Sequence, residues 1–152
     1  MKTLFFLFFY LVFTTNASPI AKTPIGSTKK LCLYSHWTVY IYNVMIDPVT
    51  VHIKSGDDDL GDHTLQFNDT ENWSFCENIW TTTLFYAYFN CKNTKPVAFN
   101  VFDHVTSVNY GSRSFIYSER RLVWLVRDDG FYVGKNLTPF PDEMTKLYDW
   151  SY

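Results

Sequence analysis

Two neighbouring stretches of the chain, residues 37–42 and 49–53, alternate apolar and polar positions. This period of two is typical of a β-strand with one face in a hydrophobic core and the other in solvent. Asp47 and Pro48 lie between the two stretches and are frequent turn residues. We therefore expect both stretches to be strands and to pair with each other as a hairpin.

Further stretches carry strand patterns, at residues 73–76, 82–91, 97–101, 122–126 and 131–133. Asp129 and Gly130 stand between the last two and predict a two-residue hairpin turn. No stretch shows a convincing helical period of 3.6 residues. Short strands at intervals of about ten residues predict an all-β fold, either a β-sandwich or a small barrel.

The first residues indicate where the protein goes. Residues 1–17 combine the basic Lys2 with an uninterrupted apolar run at 4–13, which is shorter than the roughly 20 residues that span a bilayer. We expect a signal peptide cleaved between Ala17 and Ser18, and a secreted, extracellular protein. A membrane anchor is the alternative.

The mature chain is long enough for one domain with a core and too short for two. Residues 18–34 are rich in Pro, Thr and Lys, lack periodicity, and predict a flexible lead. The expected domain occupies residues 35–140, and residues 141–152 are expected to form a C-terminal tail.

Composition and charge narrow the choice of function. Aromatic residues make up 20% of the chain, with 14 Phe and 11 Tyr, which favours strands. The formal net charge of −2 becomes more negative when Lys2 leaves with the signal peptide. Because the net charge is negative, the chain would not attract a polyanion, and we do not expect nucleic acid as a partner. We also expect no membrane insertion.

The stretch VTVHIKSGDDDLG at residues 49–61 runs from a strand directly into three consecutive aspartates, Asp57, Asp58 and Asp59. Adjacent carboxylates repel one another and cannot be buried unpaired, so we expect an exposed, structured loop. Leu60 and Gly61 close it, the glycine being free to adopt positive φ. Exposed loops on a rigid scaffold carry recognition, so these five residues are the first candidates for a binding site.

The form HxKSxDDDLG resembles the hallmark of the plant self-incompatibility (S-protein homologue) family, whose members usually read HCKSxDDDLG. Ile53 stands here in place of that cysteine. Two later stretches also resemble family signatures. WSF, NIW and TLFY between residues 73 and 86 resemble FxFxxNxW followed by TTLFYC, and WLV with DGFY between 124 and 132 resembles WxVxxDGxY.

This resemblance covers residues 37 to about 132 and implies a small antiparallel β-sandwich, secreted and without known catalysis. The founding members of the family act as pistil ligands that reject self pollen. We therefore expect a non-enzymatic extracellular ligand for an unidentified cell-surface receptor protein, with no cofactor. The alternative is a secreted hydrolase or nuclease that uses His63 and the loop at 57–59.

The hydrolase alternative depends on the four histidines of the chain. The SHWT stretch at residues 35–38 lacks the HGLWP-like motif of secreted ribonucleases, and neither a GxSxG elbow nor an HExxH zinc pair occurs. Isolated surface histidines are the ordinary case. His52 is expected on the solvent face of its strand, opposite Val51 and Ile53.

The clustered carboxylates at 57–59 and Asp62 also suggest a calcium site, because hard cations bind carboxylate oxygens. Their spacing does not match an EF-hand, which needs alternate ligands and a glutamate twelve residues along. A solvated turn whose carboxylates cap backbone N–H groups is the preferred interpretation, and we expect no metal.

Three cysteines, Cys32, Cys76 and Cys91, remain in the mature chain, and three pairings are open. One disulfide is expected in a small secreted domain, and the odd thiol would allow a disulfide-linked dimer. Thiols held reduced in the core are the alternative.

The resemblance also implies family cysteines at the positions of Ile53, Ala87 and Leu122, all replaced here. Both Ile53 and Ala87 are on apolar strand faces, so we expect them to be buried. The hypothesis is that these two positions face each other across the core.

Two further surface features are predicted, an aromatic patch and a set of N-glycosylation sites. Tyr40 and Tyr42 on one strand, and Tyr86 and Tyr88 on another, would form an exposed aromatic patch if both strands lay in one sheet. Cross-strand aromatic pairing that only stabilises the sheet is the alternative. Three sequons place candidate N-glycosylation sites at Asn68, Asn72 and Asn136.

Overall fold

A computed structural model of the protein describes Cys32 and residues 34–92, 94–112, 119–137 and 143–150. The expected signal peptide lies outside these residues, as does most of the lead at 18–34. No helix in the described part is long and apolar enough to cross a membrane. The elements within it are β1 (Ser35–Asn43), β2 (Val49–Ser55), β3 (Asp59–Leu65), β4 (Thr70–Glu77), β5 (Phe85–Cys91), β6 (Val97–Phe102), α1 (His104–Tyr110), β7 (Arg120–Arg127), β8 (Gly130–Gly134) and β9 (Thr145–Tyr148).

The strands form two sheets, which confirms the predicted β-sandwich. A five-stranded sheet has the order β4-β1-β7-β8-β9, and a four-stranded sheet has the order β3-β2-β5-β6. All neighbours are antiparallel except β1 and β7, which run parallel. The parallel pair was not expected from the sequence.

The core between the sheets is strongly aromatic. Phe89 lies 4.8 Å from Phe131, and Phe99 lies 5.0 Å from Trp124, measured between ring centroids. The buried indole of Trp124 donates to the carbonyl of Val101 at 2.8 Å, so its polar N–H is satisfied. Each large side chain buried in this way contributes roughly 1.5–3 kcal/mol to folding.

The predicted hairpin of β1 with β2 is wrong, because the two strands belong to different sheets. The chain crosses between the sheets at Asn43, which is fully buried. Its amide donates to the carbonyls of Leu65 and Asp47 at 2.9 and 3.1 Å, and its Oδ1 accepts from the Met45 N–H at 2.9 Å. Apolar alternation identifies the buried face of a strand but does not identify its sheet.

The hairpin of β7 with β8 is confirmed, one residue earlier than predicted. Arg127 pairs with Gly130, so Asp128 and Asp129 form the turn. Gly130 has a φ of 136°, and a Cβ there would lie 2.3 Å from the carbonyl oxygen of Tyr148. Only glycine allows this turn and the close approach of β9 together.

Three elements were not predicted: β3, β9 and α1. Both β3 and β9 are edge strands, and β3 buries only Leu65, so neither has an apolar alternation. The helix begins where Asp103 accepts from the Thr106 N–H at 2.7 Å. Its valines, Val105 and Val108, point to solvent, so no inward apolar stripe marks it in the sequence.

The expected domain boundary at residue 140 is too early. Strand β9, within the predicted tail at 141–152, pairs with β8. Trp150 is buried, its indole donates to the carbonyl of Arg127 at 2.7 Å, and its ring lies 4.5 Å from that of Phe131. Residues 145–150 therefore complete the five-stranded sheet and part of the core.

Candidate functional site

The DDDLG loop lies at one end of the sandwich, together with two other connections. Strand pairing places the end of β2 beside the start of β5 and the end of β6, through Ser55, Phe85 and Phe102. The β2–β3 turn at 56–58, the β4–β5 loop at 78–84 and the start of α1 therefore leave the sheets at the same end. We call this the DDDLG end.

The β2–β3 turn is fixed by hydrogen bonds of its own backbone and of the Ser55 side chain. The Ser55 N–H donates to the carbonyl of Asp58 at 2.8 Å, and the Ser55 hydroxyl accepts from the N–H groups of Asp57 and Asp58 at 3.2 and 2.9 Å. Gly61 has a φ of 84°, and its N–H donates to Asp59 Oδ1 at 3.0 Å. The loop is therefore exposed and structured, as predicted.

The aspartates of the loop divide into paired and unpaired groups. Asp59 lies 2.9 Å from the Lys54 ammonium and 2.9 Å from His52 Nε2, and Asp62 lies 2.5 Å from His52 Nδ1. The contact between His52 Nε2 and Asp59 does not have the geometry of a hydrogen bond. Asp57 and Asp58 are exposed and form no ion pair with a described residue. Asp58 accepts one long hydrogen bond of 3.5 Å from the Ser55 hydroxyl, so among the three aspartates of the loop these two are the ones open to an ion pair with a partner.

The pairing of Asp59 also sets its titration. The hydrogen bond from Lys54 lowers the pKa of Asp59, and the same bond raises the pKa of Lys54. A carboxyl with a depressed pKa in the folded state stabilises the fold above its unfolded pKa, about 3.9, and loses this contribution as pH falls through the lower folded value. Asp59 is therefore charged near neutral pH.

Replacing Asp57 and Asp58 by asparagine is expected to leave the fold almost unchanged, by under about 0.5 kcal/mol for each. Asp59→Asn is expected to be the more destabilising change, because it weakens the contacts to Lys54 and His52. Thermal melting of the variants measures both effects. Equal and large drops in Tm for all three would show that the whole loop is a structural cap.

The structure gives no support to a metal or hydrolytic site at the loop. No group of three or more His, Cys, Asp or Glu side chains among the described residues is placed to hold a metal ion. His63 Nδ1 lies 2.8 Å from Glu71, and its Nε2 lies 3.0 Å from the Leu60 carbonyl, so both ring nitrogens are occupied. A cleft of about 710 Å³ at the β7–β8 side includes neither His63 nor the loop aspartates in its walls.

The predicted single tyrosine patch is wrong. Tyr40 and Tyr42 lie on β1 in the five-stranded sheet, whereas Tyr86 and Tyr88 lie on β5 in the four-stranded sheet. Each pair makes its own ring contact, with centroids 6.4 Å and 5.6 Å apart. The four rings therefore occupy the outer faces of two different sheets.

The cysteines form one disulfide, between Cys32 and Cys76. Cys91 is free and buried, and burial raises the pKa of its thiol. The disulfide-linked dimer stays a prediction, and it would require this buried thiol to become accessible.

The hypothesis that Ile53 and Ala87 face each other across the core is wrong in its geometry. The two residues are direct partners on adjacent antiparallel strands of one sheet, and both are fully buried. Leu122, the third position where the resemblance implies a cysteine, is buried on β7 in the other sheet.

The candidate glycosylation sites differ in context. Asn68 is exposed in the β3–β4 turn with a φ of 64°, and Asn72 is exposed within β4. Asn136 is partly buried, and its side-chain amide donates to Glu143. Modification of each stays a prediction, with Asn68 in the most open context.

Sequence reasoning missed a buried carboxylate beneath the DDDLG end. Glu77, at the end of β4, accepts from the indole N–H of Trp37 at 2.9 Å and lies 3.1 Å from His104 Nδ1. The sequence carries no signal for this role, because glutamate is rarely buried unless paired and the partners of Glu77 are distant along the chain. Glu77 anchors the base of the β4–β5 loop to β1 and α1.

Comparison with known proteins agrees with this architecture. The profile of the family described as plant self-incompatibility protein S1 matches residues 38–150. This chain belongs to that family. S-protein homolog 74 of Arabidopsis thaliana is 30% identical over 128 residues, covering 82% of this chain and 80% of that protein. S-protein homolog 2 of the same plant is 32% identical over 158 residues, covering 96% and 90%.

A solved structure supports the fold independently. It represents SPH (self-incompatibility protein homologue) proteins, described as a widespread family of small, highly stable, secreted proteins from plants. The TM-score is 0.52 at 16% identity, and the match covers 78% of this chain and 97% of the other. Membership of this family makes the protein a secreted plant protein of the S-protein homologue kind.

Proposed function

We propose that this S-protein homologue is a non-enzymatic extracellular ligand that binds a cell-surface protein through its DDDLG end. The observation that carries the proposal is the pair of exposed carboxylates of Asp57 and Asp58, which form no ion pair with a described residue and lie on a hydrogen-bonded turn. A fixed turn loses little conformational freedom when it binds, which favours recognition. The proposed role of this ligand is in cell–cell signalling, of which rejection of self pollen is one form.

The chemistry of the same end supports binding rather than turnover. A histidine that acts as a general base needs a ring nitrogen free to come within hydrogen-bond reach of a substrate. At this end His52 lies between Asp59 and Asp62, and His63 lies between Glu71 and a backbone carbonyl. These histidines are part of the scaffold of the loop.

The test is binding of labelled mature protein to plasma-membrane vesicles from plant tissue. We expect saturable binding that is lost after trypsin treatment of the vesicles, and crosslinking should then capture the partner. In parallel, the protein should show no hydrolysis of RNA or ester substrates between pH 4 and pH 8. Turnover that disappears in His63→Ala would favour the hydrolase instead.

A further inference from the structure

The β4–β5 loop at the DDDLG end has an internal hydrogen-bond network centred on one side chain. Asn78 Oδ1 accepts from the Thr82 N–H at 2.9 Å, and Asn78 Nδ2 donates to the Thr82 hydroxyl at 2.8 Å. The Asn78 N–H donates to the Thr83 hydroxyl at 2.9 Å, and its carbonyl accepts from the Thr81 N–H at 3.0 Å. This network fixes the path of residues 78–83.

The same loop contains a backbone conformation that its residue type disfavours. Thr81 has a φ of 55°, which is uncommon for a β-branched side chain. Such a conformation persists only where the surrounding structure determines it, and here the hydrogen bonds of Asn78 do so. The result is a sharp turn that presents the residues before Thr81 outward.

Those residues are large and apolar. Trp80 is 76% exposed and Ile79 is 59% exposed. Exposed apolar side chains on one loop mark interaction sites, and tryptophan is enriched among the residues that dominate binding energy. Because the loop is already fixed, little ordering remains to be done on binding.

We propose that Trp80 and Ile79 are the apolar anchor of the receptor contact, and that they enter an apolar pocket whose rim carries Lys or Arg. This inference rests on the proposed function and identifies where and how the contact is made. The basic rim follows from charge complementarity. The loop enters β5 at Phe85, which pairs with Ser55, so the anchor emerges at the same end of the sandwich as the turn that carries Asp57 and Asp58.

The two parts of this surface have different expected effects on binding kinetics. Removing a buried aromatic anchor increases the dissociation rate, whereas removing peripheral charges decreases the association rate and its dependence on salt. Trp80→Ala is therefore expected to weaken binding to the plant membrane vesicles about 30-fold or more, mainly through dissociation. Asp57→Asn with Asp58→Asn is expected to slow association and to flatten its salt dependence.

The opposite end of the sandwich supplies matched controls. Ile46 is 87% exposed in the β1–β2 connection, so Ile46→Ala is the control for Ile79→Ala. Asp47 is exposed beside it, so Asp47→Asn is the control for the acidic turn. Neither control should change binding. Trp80→Phe should restore part of the affinity, and it also serves if Trp80→Ala does not fold.

The outcomes separate this inference from the proposed function. Saturable binding of wild type that Trp80→Ala and Ile79→Ala leave unchanged would overturn the anchor and leave the ligand function intact. An unchanged association rate in the doubly neutralised turn would overturn the basic rim. Absence of saturable binding by wild type would overturn both proposals.

Discussion

Replacing Cys32 and Cys76 together by serine is expected to lower the free energy of unfolding by about 4 kcal/mol. The disulfide spans 44 residues of sequence, and closing a loop of that length removes much conformational entropy from the unfolded chain. A small domain is typically stable by about 5–15 kcal/mol, so the loss is a large part of the total. Urea unfolding of the oxidised wild type and the double variant measures it.

Reduction provides the control for this prediction. A reductant should shift the unfolding midpoint of the wild type towards that of the double variant and should leave the double variant unchanged. Because Cys91 is free and buried, its thiol is present in both proteins and does not account for a difference. Equal midpoints for the oxidised wild type and the double variant would contradict the prediction.

Seven of the strands were predicted from their apolar patterns, and the signal is clearest in β2 and β5, which each bury one face. In β2, Val49, Val51 and Ile53 are all fully buried, which is the signal that the alternation gives. In β3 only Leu65 is buried, because an edge strand can leave most side chains in solvent. Sequence alternation therefore reports burial, and strands without burial leave no such signal.

Sheet membership could not be predicted for a related reason. The strands β1 and β2 both direct apolar residues inward, whichever sheet contains them. The chain crosses from one sheet to the other at the buried Asn43. Its side chain donates to the carbonyl of Leu65 at the end of β3, a partner that is distant along the chain. The same uncertainty explains why the tyrosines of β1 and β5 were expected in one patch.

The candidate site was predicted in part. The run of aspartates alone requires an exposed loop, because adjacent carboxylates cannot be buried unpaired. The sequence could not show that Asp59 is neutralised while Asp57 and Asp58 are not, because Lys54 and His52 reach Asp59 only across the β2–β3 pair. The placement of the Trp80 loop at the same end as this turn depends on strand register and could not be predicted from the sequence either.

Strand register also shows how close together two of the replaced family cysteines would lie. Ile53 and Ala87 are direct partners on antiparallel β2 and β5. Directly opposed residues in such a pair have Cα atoms about 4.5–5.5 Å apart, within the range that a disulfide spans. Proximity is thus retained, although the geometry is that of neighbours in one sheet.

Ile53→Cys combined with Ala87→Cys is therefore expected to form a second disulfide during secretion, seen as a two-dalton mass loss on intact-protein analysis. The new bond closes a loop of about 35 residues, which stabilises by roughly 3–4 kcal/mol in the chain-entropy treatment. Losing about three buried carbons from Ile53 offsets part of this, at about 0.8 kcal/mol each. The net expected effect is a higher urea midpoint than wild type.

Mispairing with the existing thiol is excluded by distance. Cys91 is four residues beyond Ala87 on β5, which at about 3.4 Å per residue places the two Cα atoms roughly 14 Å apart, too far for a bridge. Ile53→Cys alone should keep a free thiol and be less stable than wild type, because it loses buried carbons without gaining the bond. If both new thiols of the double variant stay open to alkylation in the folded protein, the β2–β5 register described here is wrong.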